Sequence, residues 1–395
     1  MGALDGLVVL DLTRVLAGPL AAMLLGDMGA EVIKVERPGS GDDTRAWGPP
    51  FVGTESAYYL GVNRNKRSVT LDVSGPAGRD ILGRMMGRAD IILENFKIGT
   101  LERWGFDEDW FRDHAPRAVR CTISGYGSTG PKAGMPGYDF ILQAETGLMS
   151  ITGEPDGASM KLGVAIVDIC TGMLAAMSAL AGIISRTSTG LGQRTEVTLH
   201  DTGLLMLANV AANHLASGTV PGRYGNGHPN IVPYRTFDTA DGEMAVSVGN
   251  DAQFETLAGV LGHPEWGQDE RFARNRDRVH NRDLIDELVQ EVMSTRTRAE
   301  WIELLDRAGI PSGPINDVAE ALSSPQTAGR DMVAEVEHPV AGLVRMLGLP
   351  IRFDGTPPSI RRHPPMLGEH TDEVLTEMAG LSDDEIRALR SSGVI

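Results

Sequence analysis

Cysteine is almost absent. Two residues, Cys121 and Cys170, in a chain of 395 cannot build a disulfide framework, so a reducing, cytoplasmic compartment is expected. Both stand in apolar runs, where a thiol is ordinarily a small buried hydrophobe. Positive charge is scarce too: 36 Lys and Arg face 53 Asp and Glu, for a net charge of −17. Binding a phosphate backbone needs concentrated basic residues, which argues against a nucleic-acid partner. A small anionic ligand stays compatible, because a local basic pocket can exist on an acidic protein. Long apolar runs are missing as well. The longest, around residues 172–184, is rich in Ala and Gly and too short for a bilayer. The opening MGALDGLVVLDLTR shows no basic segment leading into a long apolar one, and its Gly2 lacks the Ser or Thr of a myristoylation signal. No membrane association is expected. The nine histidines are scattered without H-x-x-x-H spacing and no C-x-x-C pair occurs, so no metal site is expected. A G-x-S-x-G elbow and a Walker motif are also lacking, which sets aside serine hydrolases and P-loop nucleotide chemistry.

What is present is length and alternation. A chain of 395 residues exceeds one small core, so two domains or one large elaborated domain are expected. Short apolar strands are predicted at 6–12, 31–36, 68–72, 91–93 and 118–123, with helical patterns between them. Such alternation predicts a parallel sheet with helices on its faces, an α/β fold whose ligands gather at the carboxyl ends of the strands. Pro19 can open a helix in its first turn, and Gly29 can close it. Residues 218–233 are rich in Gly, Pro and Asn and read as a linker or mobile loop. The run TFDTADGEMAVSVGN predicts a hairpin turning near Asp241 and Gly242. Residues 251–322 are mostly helical and charged, which suggests a smaller domain. Strand signals return after 326, and an amphipathic helix is predicted near 382–390.

Several segments carry possible chemistry. Residues 125–130, GYGSTG, match G-x-G-x-x-G after a predicted strand, but Pro131 and KAGMPGYD follow instead of a helix, so a glycine-rich turn is predicted and not a dinucleotide site. Arg37, Arg64, Lys66, Arg67, Lys97 and Arg103 all follow early strands. They read either as solvated surface charge or as a polyphosphate cradle. Asp168 lies in GVAIVDIC, between a β-branched stretch and a long small-residue helix. By itself the segment supports an N-cap aspartate. The second reading, which the rest of the chain favours, is a carboxylate kept ionised by helix N–H groups so that it can attack an electrophile.

The runs VLDLTRVLAGPLAAMLLGDMGAEVIKVERPGSGDDTR, NRNKRSVTLD, ENFKIGTLERWGF, ISGYGSTGP, GYDFILQAETG, GVAIVDICTG, TGLGQ, VPYRTF, GNDAQF, AGIPSGPIND and PPMLGEHT, spread over 7–375, resemble the class III CoA-transferases. These are the CaiB/BaiF type, including formyl-CoA and carnitine CoA-transferases. DDTRAWGPPFVGTESAYYL, ITGEPDG and RVHNR are most similar to the succinate–hydroxymethylglutarate CoA-transferase branch. The resemblance implies a Rossmann-like large domain (1–220 and 326–395), a smaller α+β domain (221–325) and an interlocked homodimer. It implies an acyl-CoA:carboxylate CoA-transferase, with CoA thioester as substrate and no tightly bound cofactor. Asp168 matches the family's nucleophile, which forms an aspartyl-CoA thioester. Arg37 and Arg103 match basic positions at the CoA nucleotide, Asn95 and Phe96 contacts beside it, and Tyr138 and Asp139 residues at the pantetheine end. Leu16 stands where formyl-CoA transferase has a glutamine near the acyl group, which disfavours a formyl/oxalate pair. Tyr138 stands where the related α-methylacyl-CoA racemases carry the histidine they need as an acid/base, which disfavours racemization, the alternative activity. Gly225, Asn226 and Gly227 would be the mobile glycine flap. The branch likeness points to succinyl-CoA and a small dicarboxylic acid, whose distal carboxylate needs a basic partner: Arg14, Arg45 or Arg64.

Overall fold

The computed structural model describes residues 1–395. Six strands form one parallel sheet: β1 Val8–Asp11, β2 Glu31–Glu36, β3 Lys66–Thr70, β4 Ile91–Glu94, β5 Val119–Ser124 and β6 Arg194–Thr198. Their order across the sheet is β3-β2-β1-β4-β5-β6. Strand order therefore reverses direction between β1 and β4, where Val9 pairs Ile91. At such a switch point the crossover helices diverge to opposite faces and leave a crevice at the strands' carboxyl ends. The central strands β1, β4 and β5 are mostly apolar because both sheet faces are covered there. Val9, Leu10, Ile91, Ile92 and Val119 are wholly buried.

Helices α1 Ala17–Asp27, α2 Ala57–Val62, α3 Pro76–Met86, α4 Asp139–Glu145 and α5 Ile166–Thr189 belong to the same unit. One face of the sheet packs Leu10, Ile33 and Ile92 against Ile81, Leu82 and Met85 of α3 and against Leu375 and Ile386 of the C-terminal tail. On α5, Gly172, Ala175, Ala179 and Gly182 make a small-residue face that lets other backbones come close. A Cβ on Gly172 would lie 2.5 Å from the Ala17 carbonyl oxygen of α1, and one on Gly182 would lie 2.5 Å from Val119. Helix α5 runs to 24 residues, and its most apolar 18-residue stretch has a mean hydropathy of 1.8. It is thus long and apolar enough to cross a membrane by length and composition, which the run 172–184 alone did not suggest. Here it packs along α1, β5 and β6.

The chain divides into two compact units. The first comprises Met1–Thr146, Gly163–Met206 and Pro325–Ile395. The second comprises Gly147–Leu162 and Leu207–Ser324, against the 221–325 expected of a smaller domain. Residues 147–162 join it because Arg223 gathers their carbonyls: its guanidinium donates to Glu154 O at 2.9 Å and Pro155 O at 3.2 Å, and Gly225 N donates to Gly153 O at 3.1 Å. The hairpin β7 Tyr234–Thr239 and β8 Gly242–Ser247 forms where the sequence predicted it, extended by β9 Ser312–Pro314. Phe237, Phe254, Trp301 and Leu305 fill this unit's core beneath α6 Asp251–Val260, α7 Arg282–Met293 and α8 Arg298–Arg307. Gly225, at φ +57, lies in this second unit.

Candidate active site

A cleft of about 260 Å³ opens at the carboxyl ends of the central strands. It is walled by residues 14–17 after β1, 95–98 after β4, Ser124 and Gly125 at the end of β5, residues 134–138, and Asp168. The topology therefore puts the cleft at the switch point. The GYGSTG turn contributes close backbone packing: a Cβ on Gly125 would lie 2.6 Å from Gly137 N. That contact explains why glycine stands at both positions.

Asp168 is the third residue of α5 and not its cap; Ala165 precedes the helix without a capping side chain. The cap comes from Asp139, the first residue of α4. Its Oδ1 accepts the backbone N–H of Val167 at 2.8 Å and, more weakly, that of Asp168 at 3.3 Å. Its Oδ2 accepts from Gln143 Nε2 at 2.7 Å. The expectation that helix N–H groups would hold Asp168 ionised is therefore corrected, because Asp139 has taken them. Burial, and then the Asp139 charge, push the Asp168 carboxyl up to about 7. No protein donor contributes to holding the Asp168 carboxylate. By contrast the buried carboxylates of Asp11, Glu36 and Asp42 are each gripped by cations and hydrogen bonds. An unsupported carboxylate in a cleft, poised at neutral pH, is what a reactive group looks like.

The cleft brings Asp168 together with Leu16, Asn95, Phe96 and Tyr138. Asn95 grips the backbone of Arg14, accepting from its N–H at 3.1 Å and donating to its carbonyl at 2.9 Å. Phe96 meets Trp104 edge-on at 5.1 Å, and Tyr138 is largely exposed. Arg37 and Arg103 do not line the cleft. Arg37 is exposed and pairs at 2.8 Å with Asp43, which does line it, while Arg103 donates to Thr100 Oγ1 at 2.7 Å.

A family model described as CoA-transferase family III matches residues 4–371. The chain belongs to that family. Succinyl-CoA:glutarate CoA-transferase of Homo sapiens is 41% identical over 392 residues, covering 99% of this chain and 90% of the relative. Succinate–glutarate CoA-transferase of Agrobacterium fabrum is 41% identical, covering 95% of each. A solved CaiB/BaiF family protein from Brucella suis superposes with a TM-score of 0.83 at 41% identity, covering 95% of this chain and 99% of that one. The protein is thus a class III CoA-transferase.

Within this CoA-transferase, part of the expected basic cradle lies elsewhere. Arg64 is 2% exposed and spans Asp27, with Nε donating to Oδ1 at 2.9 Å, and the Leu347 carbonyl at 2.7 Å. Lys66 is wholly buried on Asp11 at 2.9 Å, and Arg67 is bound by Glu31, Glu373 and Glu377. Arg64 just precedes β3 and Lys66 and Arg67 open it; all three serve the fold, so they cannot also clasp a polyphosphate. Arg45 is likewise consumed by Glu36, Tyr59 and the Pro365 carbonyl. One residue that sequence reasoning missed is Tyr58. Burial, followed by the charges of Asp168 and Asp139, raises its phenol to about 12, so a neutral phenol stands within electrostatic reach of the Asp168 carboxylate. The signal was Ser56, whose hydroxyl caps α2 and accepts from Tyr58 N at 3.2 Å, fixing which of two adjacent tyrosines turns outward.

Proposed function

We propose that this CoA-transferase moves CoA from succinyl-CoA to a small dicarboxylic acid of the glutarate type, with Asp168 as nucleophile. The observation that carries the reading is the unsupported carboxylate of Asp168, raised to about 7, in a cleft at the sheet's switch point. An Asp168 oxygen attacks the thioester carbonyl carbon, and the C–S bond breaks to give a mixed anhydride and CoA thiolate. The thiolate attacks the aspartyl carbonyl, releasing succinate and leaving an aspartyl-CoA thioester. The acceptor carboxylate attacks that thioester, its C–S bond breaks to give a second anhydride and CoA thiolate, and the thiolate opens this anhydride at the acceptor's carbonyl. Acyl-CoA leaves and Asp168 is regenerated. Thioester energy is conserved only if water is kept from both anhydrides.

Arg37 and Arg103 are proposed to meet the CoA nucleotide, Asn95 and Phe96 to flank it, and Tyr138 and Leu16 to shape the acyl end. Asp139 holds the helix that carries the nucleophile. For the acceptor's distal carboxylate we favour Arg14. Of the three arginines considered it alone lines the cleft, and its only acidic partner, Asp43, lies 3.5 Å away. Relatives named for succinyl-CoA with glutarate or, in Haloarcula hispanica, with mesaconate support a dicarboxylate acceptor. Racemization is not favoured: those relatives are named as transferases. Asp168→Asn abolishing formation of new acyl-CoA species from succinyl-CoA and a panel of acids supports the reading. Retained transfer sinks it.

The partner we propose is a second copy of this chain, interlocked as the family resemblance implies. The outer side of α5 supports this, since Met173, Met177 and Ile184 are each more than half exposed, a wide apolar stripe for a water-facing surface. Two cysteines without a disulfide fit a cytoplasmic setting.

A further inference from the structure

Beneath the cleft lies a set of charges that the transfer chemistry leaves unused. Asp11, Lys34 and Lys66 are fully enclosed and Asp42 nearly so. Lys66 Nζ donates to Asp11 Oδ2 at 2.9 Å, to Asn63 Oδ1 at 2.8 Å and to the Pro19 carbonyl at 2.8 Å. Lys34 Nζ donates to Asp42 Oδ2 and to the Thr13 carbonyl, both at 2.9 Å. Well-packed apolar residues commonly stabilise a core at least as well as buried ion pairs do. Stability alone therefore gives a weak reason for two cations and two anions in this place.

What they grip is the turn between β1 and α1. Asp11 Oδ1 accepts the N–H of Thr13 at 3.0 Å. Both oxygens of Asp42 lie 3.3 Å from the N–H of Val15. Val15 has φ +76, a left-handed conformation that a β-branched residue very rarely adopts. Behind it the turn is closed: a Cβ on Gly18 would lie 2.3 Å from Thr13. Val15, Leu16 and Ala17 share the cleft with Asp168. The carbonyl of Ala17 also abuts Gly172, which lies one helical turn after Asp168 on the same face of α5. Wherever this turn sits, the wall opposite the nucleophile sits with it.

We infer that Asp42 and Lys34, backed by Asp11 and Lys66, are positioning residues for CoA transfer: they hold Val15 left-handed and thereby set the Val15–Leu16–Ala17 wall against Asp168. The inference rests on the cleft being the transfer site. Its test uses full-length Asp42→Asn with and without Val15→Gly, since glycine adopts a positive φ without steric cost. Transfer from succinyl-CoA to glutarate, thermal midpoint and amide exchange at residues 15–17 would be measured on each. Asp42→Asn is expected to lower kcat by about ten- to a hundredfold, the scale of a sub-ångström to ångström misplacement, with KM changed less than about threefold. Adding Val15→Gly is expected to recover most of kcat while the lowered thermal midpoint persists. A structural role alone would not produce that split. A double variant as slow as Asp42→Asn, or an Asp42→Asn enzyme with unchanged kcat, overturns the inference. If Asp42→Asn does not fold, Thr44→Val removes a hydroxyl that donates to Asp42 at 2.8 Å, and the same rescue is required of it. Amide exchange separates the two ways of failing. No transfer by the wild type refutes the assigned reaction, whereas exchange at 15–17 unaltered by Asp42→Asn refutes the positioning role itself.

Discussion

Asp139 caps the helix whose third residue is Asp168, taking the N–H of Val167 at 2.8 Å and leaning on that of Asp168 at 3.3 Å. One carboxylate thereby occupies the helix terminus that would otherwise stabilise the other, and adds its own charge nearby. The pair sets the ionisation of the proposed nucleophile, and Asp139→Asn should separate its two effects. Losing the charge lowers the Asp168 carboxyl, so the acid limb of kcat/KM moves to lower pH by up to about a unit. The cap itself should survive, because Asn caps about as well as Asp, while the amide nitrogen can no longer accept from Gln143 Nε2 and that loss costs about 1 kcal/mol of stability. A pH–rate series checks the first and a denaturant titration the second, each against the wild type; an unmoved limb removes Asp139 from the electrostatics.

The pH dependence of the native enzyme follows from the same carboxyl. With the Asp168 carboxyl at about 7, kcat/KM should fall about tenfold per unit below that value and level off above about pH 8. A profile flat from about pH 5.5 to 8 would rule out the ionised Asp168 as the attacking group.

Stability should respond in the opposite sense. A carboxyl raised in the folded state favours folding at pH values below its ordinary range, and that contribution is lost as pH rises through the folded value of about 7. Asp168→Asn is therefore expected to raise the unfolding free energy by about 1–2 kcal/mol at pH 8 and to leave it nearly unchanged near pH 4. Denaturant titrations at the two pH values decide it; equal effects at both would contradict the assigned environment.

How much of this was legible beforehand depended on distance along the chain. The central strands β1, β4 and β5 could be read because each is a short, largely buried and mostly apolar run. β3 was the exception at its start, where Lys66 and Arg67 looked like surface yet are enclosed by partners elsewhere in the chain. Asp168 could be picked out, but its place in the helix could not. The cap that displaces it from that role stands 29 residues away. The same holds for Arg45 and Arg64, whose acceptors include carbonyls of Pro365 and Leu347, some 300 residues on. Residues 147–162 joined the second unit through backbone carbonyls, which leave no mark in side-chain pattern.

Two arginines once equivalent on paper should now behave differently. Arg64→Met strands Asp27 in the interior and is expected to cost about 3 kcal/mol of stability. Arg14→Ala should leave folding intact and raise the KM of a dicarboxylate acceptor by about ten- to a hundredfold, the worth of one charge-assisted hydrogen bond. A monocarboxylate acceptor should be little affected. Steady-state kinetics with acids of both kinds, beside thermal melts, distinguish these outcomes.

The proposed mechanism passes through a covalent bond to Asp168, and that bond can be trapped. Wild-type enzyme would be mixed with succinyl-CoA alone, quenched with hydroxylamine, digested and mapped by mass spectrometry. A hydroxamate is expected on Asp168 in the peptide from α5, formed only with the thioester and absent from Asp168→Asn. An enzyme that transfers CoA while Asp168 stays unmodified, or carries the mark on another residue, would contradict it.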